Sequence, residues 1–189
     1  MGDHDPATTE IYSGTARHLH WVTAAAVFVM IPLGFAMTYR GNTLNIWDGV
    51  TDALFSTHKL IGFLLLWLIV GRFAYRLIHG APKDEPTLLW WQKAASHLVH
   101  WLLYGLLLVV PALGWIGVSL YPSLGIFGLF NLPALVKPDQ ALAEAVLQVH
   151  GNLAILIALL VGGHIAAALY HHLIRKDGVL RRMLPGLGR

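Results

Sequence analysis

The sequence contains no cysteine. That absence excludes disulfide scaffolds, thiolate metal sites, iron–sulfur clusters, thiol catalysis and covalent haem attachment through C-x-x-C-H. Charge is scarce as well: 12% of the 189 residues are charged, against about 25% in soluble domains. With 56% hydrophobic residues and a mean hydropathy of +0.60, the composition argues against a water-soluble protein. Acidic residues number ten, fewer than the eleven histidines. An apolar chain with little water-facing surface needs a reason to carry so many imidazoles. The length allows one domain.

Four stretches can cross a membrane. Residues 18–39 hold 22 positions without Asp, Glu, Lys or Arg, enough for a ~30 Å hydrocarbon core. Residues 53–78 are interrupted only by Lys59 near one end and by Arg72 and Arg76 near the other, where long cations snorkel to the interfaces. Residues 94–136 are uncharged for 43 positions, too many for one span. Tyr121-Pro122, Gly125, Gly128 and Pro133 turn the second half into a loop, leaving a third span over 94–120. The fourth lies within 145–174. The expected fold is therefore all-α: an integral membrane four-helix bundle, with residues 1–189 as a single transmembrane domain.

The leader, residues 1–10, has three acidic residues and no Lys or Arg, so the first span is expected to stay as its own insertion signal. Orientation follows from the cations. Arg17, Arg72, Arg76, Lys83, Lys93, Arg175, Lys176, Arg181, Arg182 and Arg189 fall on the side of the termini, and Arg40, Lys59 and Lys137 on the other. Both termini are expected in the cytoplasm. The pI near 9.3 is then a topology signal, and no aromatic-interleaved basic stripe suggests nucleic acid.

Depth sorts the histidines. His20 begins span one on the cytoplasmic side, His58 and His150 begin spans two and four on the outer side, and His164 lies deeper in span four. From His150 to His164 is 14 residues, about 21 Å of helix rise and close to four full turns, so both imidazoles share one face. His58 can meet His150 at an outer level, and His20 can meet His164 at an inner one. Two imidazoles from different helices can ligate both faces of a haem iron, and bundle interiors house such cofactors. Gly62 follows His58 by one turn, and Gly34 lies 14 residues after His20, offering space at the outer level. Arg72 lies 14 residues after His58, where its guanidinium suits inner haem propionates. A single intramembrane His can equally hydrogen-bond a neighbouring helix; two depth-matched pairs favour the haem reading.

The chain resembles the bacterial cytochrome b561 family. The likeness rests on R-H-L-H-W (Arg17 to Trp21), H-K-L-I-G (His58 to Gly62), S-H-L-V-H-W-L-L-Y (Ser96 to Tyr104), P-A-L-G (Pro111 to Gly114), G-L-F-N-L-P (Gly128 to Pro133) and the segment from Gly163 to Met183. By position, the resemblance implies two haem b groups with bis-His axial ligation, the inner on His20 and His164 and the outer on His58 and His150. It implies a multi-pass protein of the bacterial inner membrane that passes electrons to ubiquinone. A superoxide oxidase-like type would take them from periplasmic superoxide, as a superoxide:ubiquinone oxidoreductase. The alternative is a haem-bearing membrane subunit that serves a partner redox protein.

Other residues take more modest expectations. His97 and His100 share a face at the cytoplasmic end of span three, suited either to interfacial anchoring or to a quinone pocket. Arg40 and Lys59 are the cations that would attract superoxide at the outer face, although that face carries a formal net charge of −1. His171 and His172 read as solvated, with His171 a lesser candidate for a propionate contact. His18 lies around the helix from His20 and is a poor rival ligand. His4 and His79 are assigned no role. The apolar loop 121–137 is either an interfacial turn or a lid over the outer haem.

Overall fold

A computed structural model of the chain describes residues 10–186. His4 and Arg189 lie outside the described residues, as does most of the acidic leader. Four helices dominate: α1 (Gly14–Thr38), α2 (Gly49–His79), α3 (Trp90–Leu120) and α4 (Gln140–Tyr170). α1 and α4 run on into wider π-type turns, Tyr39–Thr43 and His171–Arg175. All four are long and apolar enough to cross a membrane. The fold is the expected all-α membrane bundle.

The helices begin before the charge-free stretches that announced them. Ser13, Asp48 and Asp139 accept the amides of Ala16, Thr51 and Leu142 and so cap α1, α2 and α4, while the Gln92 side chain accepts the Leu89 amide at the start of α3. Each cap satisfies a donor that the first helical turn leaves free. The polar first turns that result carry too little hydrophobicity to be read as membrane span.

α1 packs on α2, α2 on α3 and α3 on α4. Tight approach occurs where Gly117 of α3 meets Leu147 of α4; a methyl on Gly117 would lie 2.5 Å from the leucine. The buried core is Val27, Leu65, Ile69, Leu107, Val110 and Ile157. Ile157 is seven residues from both His150 and His164, about 10 Å from each along the helix. The apolar core is thus a layer between two histidine levels.

The first and last described segments meet at one end of the bundle, the terminal end. There Arg182 donates to the carbonyls of Glu10 and Lys83, and Trp21 Nε1 donates to the Met183 carbonyl at 3.1 Å. Lys176 turns the chain back at a φ of 55°. This fold-back corrects one expectation. His171 is buried, its Nδ1 2.6 Å from Asp177 Oδ2, because the tail covers a helix end that would otherwise be solvated.

At the other end, the loop after α3 forms a short antiparallel hairpin, β1 (Gly125–Ile126) with β2 (Phe130–Asn131). Its tip turns through positive φ at Phe127 and Gly128. The hairpin is fastened rather than loose. Lys59 Nζ donates to the carbonyls of Ser123 and Gly125 at 2.9 and 2.5 Å, the Ser56 hydroxyl accepts the Phe127 amide at 3.1 Å, and Trp115 donates to the Pro133 carbonyl at 2.8 Å.

Candidate functional site: two levels of paired imidazoles

Histidines of α4 face histidines of the α1–α2 pair at two levels. At the terminal end, His20 of α1 and His164 of α4 have ring centroids 6.3 Å apart with planes at 67°. At the hairpin end, His58 of α2 and His150 of α4 are 6.1 Å apart at 77°. Imidazole–metal bonds are about 2 Å long. Two rings on opposite sides of one metal ion therefore have centroids about 6 Å apart, and both pairs fit a bis-imidazole iron. His100 lies nearer to His164, at 5.3 Å, short of the separation of two rings on opposite sides of one ion.

The hairpin-end level is roomy and cradled by glycine. A cavity of ≈ 1130 Å³ is lined by Gly34, His58, Gly62, Gly114, His150 and hairpin residues including Gly125 and Phe127. A methyl on Gly34 would lie 3.4 Å from His58 Cε1, and one on Gly114 would lie 3.0 Å from His150 Cε1. Larger residues at these positions would push the rings into the space between them. His150 Nδ1–H donates to the Val110 carbonyl at 2.8 Å. That bond orients the ring and leaves the Nε2 lone pair free for a metal. His58 Nδ1 is buried without a hydrogen-bond partner among the described residues. The donors and the space fit a haem.

The cations here are already engaged. Arg40 pairs with Asp48 at 2.8 Å and donates to the Thr51 hydroxyl at 3.2 Å, while Lys59 lines the cavity but spends its ammonium on the hairpin carbonyls. The Thr51 amide, with Arg40 beside it, holds the Asp48 carboxyl below the usual carboxylate range.

The terminal-end level is crowded with polar groups. Arg72 donates to His20 Nδ1 at 2.9 Å and lies 5.0 Å over the Tyr104 ring. An arginine can only donate, so His20 Nδ1 accepts and Nε2 carries the proton. His100 adjoins His164 and Ser96. His97 is turned away, its Nε2 3.2 Å from the Asp84 carboxylate. His18 is exposed, and His79 stacks on Tyr75 at 4.0 Å.

The structure thus brings together His20, His100, His164 and Arg72 at one level and His58, His150 and Lys59 at the other, with Arg40 and His97 at the margins. Sequence reasoning anticipated Gly34 and Gly62 but missed Gly114, Val110 and Asp84. Gly114 was legible in principle, as a glycine one turn after Pro111 in the third span. The Val110 carbonyl carries no sequence signal at all.

A four-helix membrane bundle with imidazoles paired across its interior falls in the class of membrane electron-transfer cytochromes. The family model described as prokaryotic cytochrome b561 matches residues 11–186, and the chain belongs to that family. Cytochrome b561 homolog 2 of Escherichia coli (strain K12) is 33% identical over 178 residues, covering 94% of this chain and 93% of its own. Cytochrome b561 homolog 1 of the same organism is 31% identical over 180 residues, covering 92% and 97%. A probable superoxide oxidase CybB of Yersinia pestis is 30% identical over 129 residues, covering 68% and 73%. Membership makes the chain a multi-pass bacterial membrane protein of electron transport, in a family that typically binds haem b.

Proposed function

We propose that this chain is a di-haem b-type cytochrome of the bacterial inner membrane, with both termini cytoplasmic, that oxidises periplasmic superoxide and reduces ubiquinone. The carrying observation is the pair of imidazole separations, 6.3 and 6.1 Å, at two depths on the α4 face. His20 and His164 would hold one haem and His58 and His150 the other. Haem, when bound, supplies one-electron chemistry. The residues around it set position and access. His150 is oriented by Val110, Gly34 and Gly114 keep the outer site open, and the Lys59 clamp holds the hairpin against the outer cavity. His100 lies where a quinone carbonyl could accept a hydrogen bond, and the His97–Asp84 pair faces the cytoplasmic water that must supply protons. Two superoxide ions and one quinone, with two protons, give two dioxygen and one quinol.

A second reading is a membrane subunit that exchanges electrons with a partner redox protein. It is favoured by the occupied state of Arg40 and Lys59, and by Leu129, 81% exposed at the hairpin tip. Stopped-flow mixing of superoxide with the purified cytochrome, followed by quinol analysis, separates the two. Superoxide-dependent quinol formation is the expected result; a fully haem-loaded protein that forms none would leave the partner reading. Lys59→Glu should slow the reaction several-fold at low salt and much less at high salt if the ammonium steers the anion. Equal slowing at both salts assigns Lys59 to the clamp alone.

A further inference from the structure

Three guanidiniums gather at the terminal end, and among the described residues none of them pairs with a carboxylate. Arg72 touches His20. Arg17 lies three residues before His20 on α1, and Arg76 four residues after Arg72 on α2, so each shares the face of its neighbour one turn nearer the terminal end. The helices are antiparallel and in contact, and Ser13 Oγ and Tyr75 OH, 2.9 Å apart, hold their ends in register. Arg17 and Arg76 therefore stand side by side. Arg17 Nε and Arg76 Nη1 are buried and have no hydrogen-bond partner among the described residues. The ion pairs among the described residues involve Arg40, His97, His171 and Arg175 but none of these three arginines.

This arrangement is unfavourable as it stands. Like charges repel, a buried N–H without an acceptor is destabilising, and Arg17 sits in the first turns of α1, against the helix dipole. A ligand with two negative charges relieves all three. The donor on His20 adds a further requirement. While Arg72 occupies Nδ1, the His20 Nε2 carries a proton and has no lone pair for iron. An anion that draws Arg72 away frees the imidazole to change tautomer.

We infer that Arg17, Arg72 and Arg76 form a dicarboxylate cradle for the two propionates of the haem held by His20 and His164. This rests on the di-haem reading above and adds its orientation, propionates toward the terminal end. A phospholipid phosphate is the rival anion. The direct contact of Arg72 with the imidazole favours the haem, because a headgroup at the interface does not reach that depth.

The test is a potentiometric titration of the holoprotein, with Arg17→Gln, Arg76→Gln and the matching Lys variants. Ferrous haem carries one positive charge fewer than ferric, so nearby guanidiniums favour reduction. Each Gln variant should lower one of the two midpoint potentials by about 59 mV, a tenfold change for one electron, and leave the other in place. The Lys variants should recover most of the shift. If neither midpoint moves, or if Gln and Lys behave alike, the cradle is wrong. Unmoved midpoints together with loss of a co-purifying anionic phospholipid, read by mass spectrometry, assign the cluster to lipid. A wild-type protein holding fewer than two haems overturns the underlying di-haem reading instead.

Discussion

The two ends of the bundle repeat one motif in opposite surroundings. Both pair a histidine of α4 with one from the α1–α2 side, at 6.1 and 6.3 Å. At the hairpin end the rings rest on glycines beside a cavity of ≈ 1130 Å³, and the cations are tied down by Asp48 and by backbone carbonyls. At the terminal end the rings touch Arg72 and His100, and two arginines carry buried nitrogens with no partner among the described residues. The spacing of the imidazole pairs is thus set by helix periodicity, while the charge around each pair is set independently by what lies one turn away. On the proposed reading, electrons pass between unlike reactants and that independence is useful, because the two sites would differ in potential and access.

The largest expected effect comes from removing one imidazole at each level, which the di-haem proposal makes a haem ligand. His164→Ala should halve the b-type absorbance of the reduced protein and spare the pair His58 and His150; His58→Ala should do the reverse. The apolar layer around Ile157 separates the levels, so each loss should stay local. Loss of both haems from either variant would mean that the levels are not independent, and loss of neither would discard the pairing.

The glycine cradle gives a smaller and more selective effect. Gly114→Ala places a methyl 3.0 Å from His150 Cε1, a contact that requires the ring to shift, and such overpacking typically costs about 1–3 kcal/mol. The haem at the hairpin end should bind more weakly, seen as faster haem loss and an altered α-band, while the other is unchanged. Gly34→Ala, at 3.4 Å from His58 Cε1, should do less. Gly105→Ala meets nothing within 4 Å and serves as the silent control. A silent Gly114→Ala would show that the hairpin-end ring is not confined as the geometry implies.

Particular residues show how much of this was legible in the sequence. Long apolar stretches with few charges found the four helices, and 14-residue spacing placed His150 and His164 on one face, because helix periodicity is a local property. The spans were too short at their starts, since Ser13, Asp48 and Asp139 are polar and belong to the helix only through their capping bonds. His171 was misjudged because its burial depends on a tail that turns back at Lys176, a tertiary event with no periodic trace. Arg40 and Lys59 were read as free cations because sequence reports charge but not partners. Arg17 and Arg76 were counted only as topology signals, although the same spacing rule places them beside His20 and Arg72.

The smallest effect sharpens the contrast between paired and unpaired arginines. The Thr51 amide and Arg40 hold the Asp48 carboxyl below its ordinary value, which means that folding favours the ionised form. Its contribution to the cap of α2 and to the Arg40 tie is then complete above the unfolded value, about pH 3.9, and is lost as pH falls through the lower folded value. Hydrogen exchange at the Thr51 amide should therefore show steady protection near neutrality and a loss of protection in acid. Asp48→Asn keeps an oxygen that can cap the helix but removes the charge, so the acid-induced loss should vanish while most protection at neutral pH remains. Should the Asn variant keep the acid transition, the carboxyl at Asp48 is not its source, and the hairpin end would have to be loosened by another titrating group, with Asp52 and Glu144 on the cavity wall the next to substitute.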